Sequence, residues 1–542
     1  MAAVELAEEV RALEYARAAA ADKLIQLRAV KISGADALTE EYVESVLARG
    51  MEKLQNELTV FGRIDDDETW RVGLYGVEQK GNQLVIDWRA PFAQAFYQAN
   101  FDDPKGLARR VSYVGSIDDL FTEEFATREV TGSSPLMTEL SRGRGETMKT
   151  AVATLQSEQD ELVRYPPDER MVLRGGPGTG KTVVGLHRAA WLVYNDHRVL
   201  SSDILVVGPS DRYLQYVASV LPTLGESKVR QTTFERLLGP TSEIGSTIDW
   251  PPLIDALEAS LYAPQDVKIR FKQVSETDIV DILTRVQASS MPWRQKRKGV
   301  ESSLVRLTGF TAAEVRPAVN TVMPSCSAAQ AFKKLCNRTT LTSLGLDAAS
   351  IGAWLKVKED GPLRDELKVR FNDPNPKYSH VVVDEAQDLT EMQLRAMQRR
   401  ATGLTMVGDD AQTSAPGALG LREVADRLDI EPHVLATAYR MSAEVSDWLN
   451  EHAQRTGLPA VELIGIRPNG IDVQTCPAAE VDAQENRLAA TYANVRVLRH
   501  GDVWIHKGIE YDAVIVDTTG MDRAEIYLAA SRAAHELVIA SD

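Results

Sequence analysis

Residues 171–182 read Met-Val-Leu-Arg-Gly175-Gly176-Pro177-Gly178-Thr179-Gly180-Lys181-Thr182, and their types and spacing can do one kind of chemistry. The octet from Gly175 to Thr182 has the G-x-x-x-x-G-K-[ST] spacing of a phosphate-binding loop. Glycines let successive backbone N–H groups converge on phosphate oxygens with no Cβ in the way. Lys181 is placed to reach β- and γ-phosphates and Thr182 to ligate Mg²⁺. A second stretch, Val381-Val382-Val383-Asp384-Glu385-Ala386-Gln387-Asp388, ends an apolar run on two carboxylates. Asp384 is expected to hold Mg²⁺ through water, and Glu385 to orient and deprotonate the attacking water. Together the two stretches predict an ATP- and Mg²⁺-dependent hydrolase.

These side chains need buried strands behind them and a helix ahead of them. Met171–Leu173 predicts a short parallel strand, and Val184 to Leu192 a helix whose N-terminus adds partial positive charge under the phosphates. Further strands are expected at 204–209, 380–385 and 404–409, then at 512–517 and 536–541. The fold class is therefore α/β, with two parallel-sheet domains. Residues 151–240 and 371–420 form the first, interrupted by a mainly helical insertion at 241–370, and residues 421–542 form the second; the helicase motifs quoted below imply that both are RecA-like motor domains. Ahead of them, Leu6, Val10, Leu13, Ala20, Leu24 and Leu27, then Val43, Leu47, Met51, Leu54 and Leu58, recur at helical spacing. This pattern predicts a coiled-coil-like helical hairpin over 1–60, the alternative being two amphipathic helices packed on a globular body. Residues 61–150 read as a small α+β domain with a hairpin turn at Gln79-Lys80-Gly81-Asn82.

Composition narrows the partners. The 542 residues carry 61 Lys+Arg and 78 Asp+Glu, a formal charge of −17, which is a poor match to a nucleic-acid backbone. The insertion alone is basic, at +3. Its run Trp293-Arg294-Gln295-Lys296-Arg297-Lys298 is either a solvated face or a nucleic-acid contact. Cys326, Cys336 and Cys476 fit neither a disulfide framework nor a zinc site. With no membrane-length apolar run and no signal-peptide pattern in the first residues, a cytoplasmic protein is expected.

GGPGTGKT, DEAQD, GDDAQ (408–412), AYR (438–440), HKGIE (506–510) and AASRA (529–533) occur in the order of superfamily 1 helicase motors, and the chain resembles the UvrD/Rep type. That resemblance implies that Gln159 bonds the adenine edge, Gln412 senses the γ-phosphate, Tyr439 stacks near the base and Glu510 touches the ribose. It implies that Arg440 and Arg532 act as arginine fingers, which suits the charge spread over a transferring phosphoryl group. There are departures. Thr413–Ala418 offers no aromatic ring, and base–aromatic stacking is worth roughly 1–3 kcal/mol per base. Ser210-Asp211-Arg212-Tyr213 replaces the usual strand-contacting motif, and the 65 residues between Arg440 and His506 leave no room for a large accessory domain. Hydrolysis survives these changes; ordinary unwinding is not expected to.

LTVFGRIDDDETWRVGLYGVE, LVIDWRAPFAQAFYQA, GLARRVSYV and VATLQSEQDELVR extend a second resemblance over nearly the whole chain, to the HelD-type RNA polymerase-binding ATPases. This resemblance implies an N-terminal helical element that enters the polymerase secondary channel and an insertion that reaches the primary channel. It implies an ATPase that frees polymerase from nucleic acid, its own nucleic-acid binding being weak or indirect. A conventional superfamily 1 DNA helicase or translocase is the alternative, and a degenerate, non-hydrolysing scaffold a third.

Overall fold

The computed structural model describes residues 3–30, 59–114, 119–140, 151–196, 199–372 and 375–541, with positions 43, 47, 50 and 51 between the first two segments. Three sheets organise them. The first is mixed, in the order β3-β4-β2-β1-β5-β6-β7, with β1 (Val60–Asp65), β2 (Thr69–Gly73), β3 (Val77–Gln79), β4 (Asn82–Asp87), β5 (Arg109–Tyr113), β6 (Leu120–Glu124) and β7 (Glu129–Thr131). The predicted hairpin joins β3 to β4. Lys80 and Gly81 both take positive φ, at 52° and 81°, the backbone that a tight two-residue turn requires.

One long helix, α1 (Ala3–Ala29), precedes this sheet. Leu13, Ala16, Ala19 and Ala20 are buried, whereas 21–30 are exposed or half-buried. The anchor is polar. Glu9, 2% exposed, accepts from Arg71 Nε at 2.7 Å and from the Tyr113 hydroxyl at 2.6 Å, and faces Arg63 at 3.4 Å. The first two-thirds of α1 thus lies on the small domain, which corrects the expectation of a projection starting at the first residue. A small-residue face and a buried ion cluster outweigh the coiled-coil reading there. Gly50, also helical, sits against Leu27, where an added Cβ would lie 3.3 Å from Leu27 Cδ1. Most of the predicted second arm lies outside the described residues.

The second sheet is wholly parallel, in the order β10-β9-β13-β14-β8-β15. Its strands are β8 (Met171–Gly175), β9 (Ile204–Gly208), β10 (Arg230–Thr233), β13 (Tyr378–Val383), β14 (Ala401–Gly408) and β15 (His433–Leu435). Continuous Val/Ile/Leu runs suit strands covered by helices on both faces. Because β15 pairs with β8, from His433↔Leu173 to Leu435↔Gly175, the sheet continues past the expected division at 420/421 and ends at Leu435. The short pair β16 (Thr437–Ala438) and β17 (Ile464–Gly465) leads to a third sheet, also parallel, ordered β18-β21-β20-β19. Its strands are β18 (Gln474–Pro477), β19 (Val495–Leu498), β20 (Tyr511–Asp517) and β21 (Ala533–Ser541).

The insertion is helical apart from a hairpin, β11 (Val267–Ile269) with β12 (Lys272–Val274), that the sequence reading did not anticipate. It has its own core, built on Trp250, Trp293, Trp354 and Phe371 and joined by Met392 from the helix Glu391–Arg400 of the parallel sheet. In the basic run 293–298, Trp293 is in that core and Lys296 is buried in an ion pair with Glu258 at 2.8 Å. Arg297 donates to the Met323 carbonyl and to Asn320 Oδ1. Half of the run is therefore internal structure.

The small domain is fixed to the nucleotide-side sheet through Arg89, which is fully buried. Its guanidinium takes Asp87 as a bidentate partner at 2.8 and 2.7 Å and reaches Glu226 at 3.0 Å and the Leu224 carbonyl at 3.3 Å across the junction. Arg164 returns the contact on the carbonyls of Trp88, Arg89 and Ala90. Removing one partner of a buried pair strands the other charge and costs about 3–5 kcal/mol. Arg89→Ala should lower the urea-unfolding free energy by that amount, and an effect below ~1 kcal/mol would show that the junction carries little stability.

Two buried histidines add a pH dependence. Burial holds His187 down at about 4 and His380 at about 3 against an unperturbed 6.5, so both stay neutral in the folded chain at neutral pH. The unfolded chain takes up these protons near pH 6.5 and the folded chain far lower, so stability present at neutral pH is lost as pH falls. The slope is up to about 1.4 kcal/mol per pH unit for each histidine. Chemical denaturation from pH 7 to 5 should show this loss, and the His187→Gln/His380→Gln double variant should flatten it.

Candidate active site

The loop 175–180 folds as its glycines require. Gly178 and Gly180 take φ of 74° and 87°, and a Cβ on Gly180 would stand 2.2 Å from Gln159 Nε2. The helix Lys181–Asn195 starts directly on the loop. Lys181 bends back so that Nζ donates to the Gly176 carbonyl at 2.7 Å, and Thr179 Oγ1 donates to the same oxygen at 2.8 Å. The loop is thus closed on its own lysine, with the ammonium inside the space that phosphates would fill.

At the C-terminal end of β13 the two carboxylates part company. Asp384, 4% exposed, turns one oxygen to Thr182: Oδ2 accepts from Thr182 Oγ1 at 2.6 Å and from the Tyr213 hydroxyl at 2.5 Å. Its other oxygen accepts from Glu385 N at 2.8 Å. Burial, and secondarily the Glu385 charge, push the Asp384 carboxyl upward. Glu385 moves the other way. Burial alone would raise it, but Lys507 and Lys181, helped by Gln387 and Arg532, bring it below its ordinary value. The surrounding cations favour its ionised form, the form that an acceptor of a water proton requires. Glu385 also has φ of 55° and ψ of 40°, a left-handed conformation rarely adopted by a glutamate and held here by its surroundings.

A narrow cleft opens between the second and third sheets. From the first side it is lined by Pro177, Gly178, Gly180, Lys181, Thr182, Val183, Tyr213, Tyr216, Glu385 and Gln412. Arg440, Gly508, Glu510 and Arg532 line it beyond Leu435, on the third-sheet side. Arg532 Nη2 donates to Gln412 Oε1 at 3.1 Å, and Gln412 Nε2 donates to Asp409 Oδ2 at 2.8 Å. Arg440 faces Glu510 at 3.5 Å. Arg440, Arg532, Gln412 and Glu385 thus face one space.

Gln159 and Tyr439 lie beside the cleft. Gln159 Nε2 donates to the Thr179 carbonyl at 3.0 Å and so props the loop from behind. The Tyr439 hydroxyl donates to Glu158 Oε1 at 2.5 Å, and its backbone N–H to the Gly178 carbonyl at 3.0 Å. Gly175 and Gly176 form the root of the loop, where β8 ends.

Three residues were not anticipated. Lys507 is 8% exposed, and its ammonium donates to Asp388 Oδ2 at 2.6 Å and to the Gln412 carbonyl at 2.8 Å, 3.5 Å from Glu385 Oε2. It lies within the quoted HKGIE stretch and could have been read there. Tyr213 ends the quoted stretch 210–213, which was read there only as a departure, and Tyr216 carries no such signal. Thr182 Oγ1 and Asp384 Oδ2, hard oxygens 2.6 Å apart at the mouth of the loop, are a donor set that suits Mg²⁺. Among the described residues, no group of three or more His, Cys, Asp or Glu is placed to hold a metal, and no helix is long and apolar enough to cross a membrane.

Residues 3–120 match the family model "DNA helicase IV HelD, N-terminal domain", and residues 159–418 match that of an AAA domain. No curated protein matches the chain. Among solved structures, it is similar to an arterivirus nonstructural protein 10 helicase at 12% identity and TM-score 0.29, covering 71% of this chain and 62% of that one. The complex of an arterivirus nonstructural protein 10 helicase with DNA gives 14%, 0.29, 72% and 64% in the same order. A PRRSV helicase gives 12%, 0.28, 94% and 72%. The chain therefore spans less than two thirds of the first two helicases, and overlap at that TM-score carries no argument. The tandem family matches do: with residues 3–120 and 159–418 both matched, the chain belongs to the HelD-type helicases.

Proposed function

We infer that the two parallel sheets are paired RecA-like motor domains that hydrolyse ATP in the cleft between them, and that the work is done on RNA polymerase. The observation that carries the hydrolytic reading is the convergence of Lys181, Glu385, Gln412, Arg440 and Arg532 on one cleft, with cations contributed from both sides. Thr182 and Asp384 would hold Mg²⁺, which supplies charge neutralisation between phosphate oxygens when bound. Lys181 is poised to exchange the Gly176 carbonyl for a phosphate oxygen. Glu385, kept ionised by Lys507 and Lys181, accepts the proton of the attacking water, and Arg440 and Arg532 meet the charge that develops on the phosphoryl group.

The segment after Gln412 supports a protein partner over a tracked strand. Its sequence has no ring, and it is tied down. Ser414 N donates to Asp388 Oδ1 at 2.8 Å, and Ser246 Oγ, from the insertion, donates to the Pro416 carbonyl at 2.6 Å. A strand running there would lack the stacking surfaces worth roughly 1–3 kcal/mol per base. The N-terminal helical element would enter the polymerase secondary channel and the insertion the primary one, so that ATP binding or hydrolysis releases polymerase from nucleic acid. Leu27 and Gly50 mark where the two arms of that element meet.

Two outcomes test this. Lys181→Ala should abolish productive phosphate binding, and Glu385→Gln should bind ATP normally while turnover falls by at least ~10²-fold. Retained turnover in Glu385→Gln would move the base to another carboxylate, such as Asp388, which shares Lys507 with Glu385. For the partner, replacing residues 29–48 with a short Gly/Ser link keeps Glu9 and the buried face of α1 and rejoins the chain where Leu27 meets Gly50. ATP turnover should stay within about threefold of the intact chain, under ~1 kcal/mol of barrier. Co-elution with bacterial RNA polymerase should be lost. Polymerase binding that survives the excision, or strong stimulation of turnover by single-stranded DNA at physiological salt, would favour a conventional helicase.

A further inference from the structure

The helix Asp211–Val217 follows β9 and is capped by Ser210, whose Oγ accepts from Tyr213 N at 3.2 Å. Three of its side chains make contacts along the cleft. The Tyr213 hydroxyl is on Asp384 Oδ2, the oxygen that also takes the Thr182 hydroxyl. Its ring, 2% exposed, lies over two glycines that leave room for it. A Cβ would meet the ring at 2.5 Å on Gly208, at the end of β9, and at 3.2 Å on Gly508, across the cleft. The Arg212 charge lies close to Tyr511, at the start of β20. Tyr216 hydrogen-bonds Arg440. One short helix therefore touches the metal-side carboxylate, an arginine of the opposite wall and the first residue of a third-sheet strand.

A carboxylate oxygen offers about two lone-pair sites. Oδ2 of Asp384 has both engaged, by Thr182 and by Tyr213, so it has no lone pair left for a cation unless one donor withdraws. We propose that Tyr213 is a latch on this carboxylate: a divalent cation arriving at Thr182 and Asp384 displaces the Tyr213 hydroxyl, and the helix Asp211–Val217 carries the displacement to Arg440 and Tyr511. Tyr213 is on this account a positioning residue. It sets when Asp384 is available and takes no part in proton transfer. The proposal rests on the ATP reading above and adds to it a route from the metal side of the cleft to the far wall.

Tyr213→Phe removes the hydroxyl and keeps the ring between Gly208 and Gly508, so packing is preserved. The measurement is binding of a fluorescent ATP analogue to the full chain, first in EDTA and then across a Mg²⁺ titration. Affinity in EDTA should equal that of the wild type. The Mg²⁺ concentration giving half-maximal enhancement should fall by at least about threefold, since a hydrogen bond to a charged group no longer competes with the ion. An unchanged or raised Mg²⁺ midpoint overturns the latch. Transmission is read separately, from the separation of fluorophores on Glu235→Cys and Glu485→Cys, both exposed and on opposite sides of the cleft. Mg²⁺ with the analogue should change that separation in the wild type, and Tyr216→Phe should abolish the change; a full response in Tyr216→Phe overturns the route. Failure of the wild type to bind the analogue at all would instead remove the ATP reading itself.

Discussion

Two carboxylates side by side at the end of one buried strand are the constraint on which the rest of the structure depends. Asp384 and Glu385 are nearly out of water, and like charges at adjacent positions cannot both ionise without help. The help is asymmetric. Asp384 is given hydroxyl donors and a backbone N–H, which suit a group whose charge burial disfavours. Glu385 is given Lys181 from the loop and Lys507 and Arg532 from across the cleft. Much of the charge that keeps Glu385 ionised therefore belongs to the far wall. On the proposed reading the base is competent only while the two halves face each other, and chemistry and domain closure become one problem. A nucleotide adds several negative charges to the same cations, so its arrival must redistribute Lys181, Arg440 and Arg532 away from their present partners, Gly176, Glu510 and Gln412.

Against that movable seam stands a rigid one. The small N-terminal domain meets the first parallel sheet through Arg89, Glu226, Arg164 and Asp160, all buried or nearly so, with Gln98 donating to Asp160 at 3.0 Å. Multiple fixed hydrogen bonds to backbone carbonyls leave this junction no alternative pairing. Glu9 ties α1 to the same body. The cleft junction has a different character: beside the Tyr439 hydrogen bonds, its polar contacts are made by long cationic side chains, Lys507 on Asp388 and the Gln412 carbonyl and Arg532 on Gln412. On the proposed reading, motion on nucleotide binding is directed to the boundary beyond Leu435, and what is attached to α1 travels with the second sheet.

The legible parts of the sequence were those in which one local rule fixes the residue. Gly178 and Gly180 must be glycine to hold their φ, and Val381–Val383 had to be a strand buried on both faces before two carboxylates could sit at its end. What escaped depended on partners far away in the chain. His433–Leu435 is too short to declare itself, and only β8 makes it a strand of the first parallel sheet. Glu9 reads as one more exposed helix carboxylate until Arg63, Arg71 and Tyr113 close around it. Tyr213 sits where a surface helix begins, and its importance comes from Asp384, 171 residues on. Lys507 was within reach, since it lies in a stretch already singled out, but a lysine on a loop has no spacing rule to mark it.

The charge of the chain also looks different once its pairs are known. A sum of +3 over the insertion suggested a basic surface in an acidic protein, yet several of its cations are neutralised from within. Lys296 and Arg370 share Glu258, Arg370 also takes Asp255, and Arg399 of the first sheet takes Glu366. Cations spent in this way release no counterions on meeting a phosphate backbone, so they add little to nucleic-acid affinity. The insertion's rigidity comes from the same pairs, which pin its helices to one another and to the helix Glu391–Arg400. A stiff body, joined at its core to the sheet that carries Glu385, transmits displacement rather than absorbing it. That is the mechanical property needed to push on a large protein partner, and a flexible basic arm reaching for a strand would lack it.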